Sequence, residues 1–274
     1  MRTDRAQFER WPNLAAMFFD QVDRLGEHPF LWAKRSGTWR PLTWGDAAAR
    51  VSALARGLIA AGVEPGDRVV LVSENRPAWA IADLATMSIG AITVPAYVTN
   101  TVADHAHILK DSGAKGAIVS QRRLVERILA AAEGSPQLRF VAAMDPPPAA
   151  PSRRLRLVAL DQLIETGRAR HENVVEKSWS WPRSRPACVI YTSGTGGVPK
   201  GVVLSHGSIL HNCRGAALAL AELGIDREVF LSFLPLSHSY EHTAGQFFPI
   251  AIGAEIYYAE SLDALASNMI ETRP

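Results

Sequence analysis

Between residues 43 and 143 the chain alternates short, continuously apolar runs with longer stretches in which apolar residues recur every three or four positions. Thr43, with Asp46 three residues on, is a helix-capping signal. Val51, Leu54, Ala55, Leu58 and Ile59 then mark one face of a helix ending near Gly62. Pro65-Gly66-Asp67 is a turn. Residues 68–73 (RVVLVS) are continuously apolar from Val69 to Val72 and mostly β-branched there, as expected of a strand covered on both faces. Asn75 is placed to cap a helix that carries Pro77 in its first turn and runs to about Ser88. Further strands are predicted over 92–95, 117–119 and 138–143, with helices over 101–112, closed by Gly113, and over 121–133. Strands alternating with helices predict an α/β fold with mostly parallel sheets flanked by helices and right-handed crossovers.

The regular pattern divides the chain into three parts. Residues 1–145 form a first α/β portion. Residues 146–186 read as a proline-rich linker and irregular segment, because Pro146, Pro147, Pro148 and Pro151 are too dense for a helix or central strand. Arg153, Arg154 and Arg156 beside it read as a solvated face, since three arginines fall short of a polybasic run. Residues 187–274 form a second α/β portion, with strands over 187–191 and 201–204 and helices over 206–222 and 261–272. No internal repeat is present.

Composition narrows the classes. Of 274 residues, 47% are hydrophobic and 20% charged, with 29 basic against 27 acidic side chains. That near balance argues against a nucleic-acid partner. Two cysteines, Cys188 and Cys213, cannot staple a disulfide scaffold and imply a reducing, cytoplasmic setting. Neither an export signal nor a membrane-spanning run of about 18 apolar residues is present. Seven Trp and nine Phe leave peripheral membrane contact open.

Residues 191–201, YTSGTGGVPKG, are the most informative stretch. Thr192, Ser193 and Thr195 offer hydroxyl donors. Gly194, Gly196 and Gly197 let backbone N–H groups turn toward an anion, and Lys200 adds a positive charge. This is not an ordinary P-loop, which needs Gly-Lys-Ser/Thr opening a helix. Here Pro199 precedes Lys200 and an apolar strand follows, so the loop joins two strands. A flexible glycine hairpin would not need hydroxyls and a lysine alternating with glycine.

This stretch, followed by Val202-Val203-Leu204-Ser205-His206, resembles the phosphate-loop signature of the AMP-forming acyl-CoA synthetases. Gly196 stands where that family usually carries Thr or Ser. A second stretch, LPLSHSYEH over residues 234–242, resembles the family's Leu-Pro-x-x-His segment in its long-chain fatty-acid form. Residues 66–101 resemble the N-terminal sheet of the same group. The resemblance implies a two-step reaction: a fatty carboxylate attacks the α-phosphate of ATP, giving acyl-AMP and pyrophosphate, and coenzyme A then displaces AMP. It assigns Thr192, Ser193, Gly194, Thr195, Gly196, Gly197 and Lys200 to the nucleotide. It gives Lys200 and His238 catalytic roles, and Thr192 a place near magnesium through the phosphates. The family continues beyond the part matched here, with an acidic magnesium ligand and a mobile C-terminal lid domain. The chain therefore reads as an incomplete N-terminal domain, not expected to complete adenylation alone. Oligomeric state and acyl chain length are not legible.

Two rival readings remain. His238, Glu241 and His242 fit the H-x-x-E-H pattern of certain zinc peptidases. A non-catalytic nucleotide-binding module would also account for the glycine loop. His206 is expected to help cap the helix that follows it, beside Ser205. Both cysteines are expected to be packing residues.

Overall fold

The computed structural model describes residues 5–147, 155–192, 198–221 and 228–274. Two short helices open it, α1 (Arg5–Arg10) and α2 (Leu14–Leu25). Asn13 caps α2 by accepting the Ala16 N–H (2.8 Å), and its amide donates to the Ser178 carbonyl (2.7 Å). Strands β1 (Pro29–Arg35) and β2 (Thr38–Thr43) follow as a hairpin. Ser36 and Gly37 at its tip both have positive φ, 49° and 76°, as the native twist of a two-residue turn requires.

The expected α/β alternation then appears. Helix α3 (Trp44–Ala60) starts with the Thr43–Asp46 capping box. Strand β3 (Arg68–Val72), helix α4 (Pro77–Ser88), β4 (Ile92–Pro95), α5 (Val102–Ser112), β5 (Gly116–Val119), α6 (Arg122–Ala131) and β6 (Phe140–Ala143) succeed it. Asn75 does not cap α4. The N-cap is Arg76, without a side-chain cap bond, and Asn75 reaches a different segment.

Residues 146–186 are not a linker throughout. Arg156–Ala159 form β7, followed by α7 (Leu160–Arg168) and α8 (Val174–Ser178). Proline density and the arginines pointed to solvent, whereas Leu157 and Val158 extend the sheet by pairing with Val141 and Ala142. The 181–186 stretch is tied down as well. The Trp181 indole donates to the Ser88 carbonyl (3.1 Å), and Arg185 donates to the Gly90 carbonyl. Arg153 and Arg154 lie outside the described residues.

The second half brings β8 (Pro186–Thr192), β9 (Lys200–Ser205), α9 (His206–Leu220), β10 (Val229–Ser232), α10 (Ser239–Glu241), a π-helical turn (His242–Phe247), α11 (Phe248–Ile252), β11 (Glu255–Tyr258) and α12 (Leu265–Thr272). The last helix starts four residues later than expected, with the Ser261 hydroxyl accepting the Ala264 N–H in the preceding turn. Ser205 caps α9 through the Ser208 N–H. His206 is fully buried instead, close to the α2 backbone (Leu14 N to Nδ1, 3.4 Å).

The larger sheet has the order β7-β6-β5-β3-β4-β8-β9 and is parallel except for the β8–β9 hairpin. The smaller has the order β10-β11-β1-β2, with only β1–β2 antiparallel. Helix α4 is buried along nearly its whole length, from Trp79 to Ser88. Both cysteines are free and buried, and burial pushes the Cys213 thiol up to about 12, which makes it a packing residue. No helix among the described residues is long and apolar enough to cross a membrane.

Helices α3 and α7 cross at backbone contact. A Cβ on Gly167 would lie 1.8 Å from the Ala53 carbonyl oxygen, and one on Gly57 2.1 Å from that of Leu163. Gly167→Ala should therefore destabilise the fold by about 1–3 kcal/mol, since forced overpacking of a tight crossing has that cost. A lowered urea midpoint would record it, and an unchanged midpoint would refute the packing account.

Candidate functional site

Parallel strands present their carboxyl ends on one side of a sheet, where loops are free to build a site. Here the ends of four strands from both sheets meet. Ser73, Glu74 and Asn75 follow β3, and Tyr97, Val98 and Thr99 follow β4. Phe233, Pro235 and Ser237 follow β10, and Ala259 to Leu262 follow β11. Together they enclose a crevice of about 330 Å³.

Asn75 holds the two sheets in register at this crevice. Its amide donates to the Leu234 carbonyl (2.7 Å) and the Ser232 hydroxyl (3.0 Å), and its carbonyl accepts the Leu236 N–H (3.0 Å). Ser232 in turn donates to Glu241 (2.7 Å). Burial pushes the Glu241 carboxyl above the usual carboxylate range. The backbone from β10 to the His238 turn is thereby fixed by side chains on both sides.

His238 sits at the start of α10, exposed, with its Nδ1 accepting the Tyr240 N–H (3.2 Å). His242, four residues on, is buried. Its Nε2 lies 2.8 Å from Asp83 Oδ2 on α4, and the same oxygen accepts the Gln246 amide (2.7 Å). The two histidines of the H-x-x-E-H pattern therefore serve different partners. No cluster of three or more His, Cys, Asp or Glu suited to a metal exists among the described residues. The zinc-peptidase reading is not supported.

Next to β4 in the sheet, the β8–β9 hairpin places Thr192 opposite Lys200, both exposed, at the mouth of the glycine loop. Ser193, Gly194, Thr195, Gly196 and Gly197 lie outside the described residues. Helix α5 braces the mouth. His107 Nε2 is 2.8 Å from the Pro199 carbonyl and donates to it, and the Tyr191 hydroxyl donates to Asp111 (2.6 Å). Burial, aided by Asp111, drives the Tyr191 phenol far above its ordinary range, so it stays a donor. Gly201 has a packing role: a Cβ there would fall 2.8 Å from Val189 Cγ1 and 3.1 Å from the Tyr191 ring.

The structure thus brings Thr192 and Lys200 together. It places His238 on the β10 side, and no described hydrogen bond joins it to them. Asn75, Asp83, His107 and Asp111 are contributions that the sequence reading missed. A capping box or a glycine run has a local signature, whereas these four act across 80 residues or more.

The buried histidines give opposite pH dependences. Burial alone would lower the His242 imidazole, but the Asp83 carboxylate outweighs it and holds the ring at about 10. Its stabilisation is fully present below the unfolded value of about 6.5 and is lost as pH rises through about 10. Burial holds His105 and His206 down at about 4. Their contribution is present above about 6.5 and is lost as pH falls through about 4. Urea midpoints should therefore peak near neutrality and fall on the alkaline side. Asp83→Asn should lower stability at pH 7 and flatten that alkaline fall. An alkaline limb of unchanged slope in the variant would disprove the assignment.

Comparison with known proteins agrees with this arrangement. The family model described as AMP-binding enzyme matches residues 18–273. The long-chain-fatty-acid–CoA ligase FadD15 of Mycobacterium tuberculosis is 35% identical over 228 residues, which cover 82% of this chain and 36% of that protein. The long-chain-fatty-acid–CoA ligase ACSBG1 of Rattus norvegicus is 28% identical over 259 residues, covering 93% of this chain and 36% of that one. The chain thus spans about 36% of the length of these curated relatives. Among solved structures, the A domain of the carboxylic acid reductase from Segniliparus rugosus, in complex with AMP and a co-purified carboxylic acid, superposes with a TM-score of 0.79. It is 19% identical and covers 98% of this chain and 48% of its own, so it speaks for the fold. With the family match running through both sheets and the glycine-loop hairpin, the chain belongs to the AMP-binding enzyme family.

Proposed function

We propose that this chain supplies the ATP-polyphosphate site of a long-chain fatty-acid–CoA ligase. The observation that carries the reading is the braced hairpin mouth, with Thr192 and Lys200 paired across it at the carboxyl edge of the parallel sheet. The names of the 35% and 28% identical relatives supply the substrate class, a long-chain fatty acid with coenzyme A.

The chemistry follows from charge. A carboxylate becomes an acyl donor only when one oxygen is turned into a good leaving group. Its attack on the α-phosphate of ATP makes acyl-AMP and releases pyrophosphate, and the thiol of coenzyme A then displaces AMP. Charge builds on phosphate oxygens during the first step, and fixed donors are what lower its barrier. Lys200 contributes a charge, and Thr192 with Ser193 and Thr195 contribute hydroxyls. Gly194, Gly196 and Gly197 contribute unobstructed backbone N–H groups. His238 orients the carboxylate at the crevice, whose Phe233, Pro235, Val98 and Leu262 offer an apolar wall to the acyl chain.

Magnesium fits this site as a companion of the nucleotide. Thr192 offers one exposed hard oxygen, and the described residues gather no acidic cage. A hard cation bound mainly through substrate phosphates suits such a donor set. When bound, it would neutralise phosphate charge.

Lys200→Ala should remove a charge-assisted contact of about 1.5–3 kcal/mol, seen as a roughly 10- to 150-fold weaker Kd for ATP by titration calorimetry. Unchanged ATP affinity would overturn the reading. His238→Ala should leave ATP affinity within about twofold, as it removes no phosphate contact, and should weaken a non-hydrolysable fatty acyl-adenylate analogue by roughly tenfold. Equal loss for both ligands would move His238 to the nucleotide.

A further inference from the structure

We propose that a second cavity, which adjoins the crevice and shares Asn75, Ala259 and Glu260 with it, binds a phosphate-bearing organic anion of about mononucleotide size. This cavity, of about 410 Å³, lies between the β1–β2 hairpin, α3 and the start of α4, and its walls include Arg35, Arg40, Leu42, Arg50, Pro77 and Ile81. That volume lies within the ordinary range for small-ligand sites, roughly 300–1,000 Å³.

The argument starts from strand alternation. Leu31 pairs with Leu42, Ala33 with Arg40 and Arg35 with Thr38. Side chains two apart share a face, so Arg35 and Arg40 lie on the same face as buried Leu31, at its exposed end. Lys34 lies on the other face, where it pairs with Glu271 (2.8 Å) and Glu260 (3.2 Å). Arg50 adds a third guanidinium from α3. Glu260 is the acidic side chain lining the cavity, and Lys34 and Asn268 already hold it. Arg76 at the rim is paired with Asp145 (3.0 Å). Arg35, Arg40 and Arg50 have no ion-pair partner among the described residues.

Three exposed guanidinium groups without ion-pair partners among the described residues line one concavity, and an anion seated there would meet all three. The planar guanidinium fork matches phosphate oxygens in pairs, which a lysine cannot do. Leu42, Pro77 and Ile81 add an apolar wall, which favours an organic phosphate over the bare ion. A competing explanation is edge protection: β2 is an edge strand among the described residues, and inward-pointing charges keep such edges from pairing with other chains. That explanation does not account for Arg50, which is on a helix, or for the cavity.

The inference goes beyond the ligase reading and is tested apart from it. Inorganic pyrophosphate is titrated calorimetrically into the 274-residue chain carrying Lys200→Ala, so that the hairpin loop contributes little. Saturable binding is expected. Adding Arg50→Ala, on an exposed helix position, or Arg40→Ala should each weaken it by roughly tenfold or more, with an unchanged thermal midpoint and a shallower salt dependence. Absence of binding in the Lys200→Ala chain would overturn the proposal, as would affinity within about twofold in both arginine variants. Self-association of those variants at unchanged affinity would mean that the arginines only guard the sheet edge, which also overturns it.

Discussion

Helix α4 is buried on every side from Trp79 to Ser88, yet carries the carboxylate of Asp83 in its middle. A lone buried carboxylate would be expelled or neutralised, so this helix can exist only with a partner supplied from elsewhere. His242 and Gln246 are that partner, and both are on the segment just after the His238 turn. Leaving half of such a pair unpaired in the interior typically costs about 3–5 kcal/mol. The position of the candidate catalytic turn is therefore a consequence of burying α4. The helix between the sheets determines where the chain can go after β10.

The π-helical turn at His242–Phe247 belongs to the same constraint. An extra residue in a helical turn re-aims the side chains that follow it, and such turns concentrate near sites. Here it lets His242 and Gln246 approach one Asp83 oxygen while Glu241, one residue earlier, faces Ser232. The crevice wall is consequently held by two independent polar links, Asn75–Ser232–Glu241 and Asp83–His242. The hairpin on the larger sheet is braced separately by His107 and Asp111 of α5. Each half of the candidate site has its own scaffold.

Legibility in the sequence tracked the range of the interactions. Thr43–Asp46 marked the start of α3 because a capping box closes within four residues. The strands at 68, 92, 117 and 140 were visible because both faces are apolar. The β1–β2 hairpin was missed, although Ser36-Gly37 between Trp32 and Trp39 is a turn signal, because its strands mix Lys and Arg with aromatic residues. Residues 146–186 read as a proline-rich linker and irregular segment because Pro146, Pro147, Pro148 and Pro151 cluster at its start, yet residues 156–178 fold into β7, α7 and α8. Their burial comes from Gly57 against Leu163 and Gly167 against Ala53, contacts made across a hundred residues. Asn75 looked like a cap, since Asn near a helix start usually is one, but three partners 157 or more residues away compete for its amide.

By itself, the order of residues specified the alternation of strands and helices and the two strands that meet at Thr192 and Lys200. These follow from backbone preferences and from neighbours within one turn or one hairpin. Only the tertiary structure decided that His242 is an ion-pair partner and no metal ligand, that His206 is core, and that Arg35, Arg40 and Arg50 line one cavity. Those outcomes depend on which distant group fills the space opposite, and desolvation makes that neighbour, more than the residue's own type, set its role.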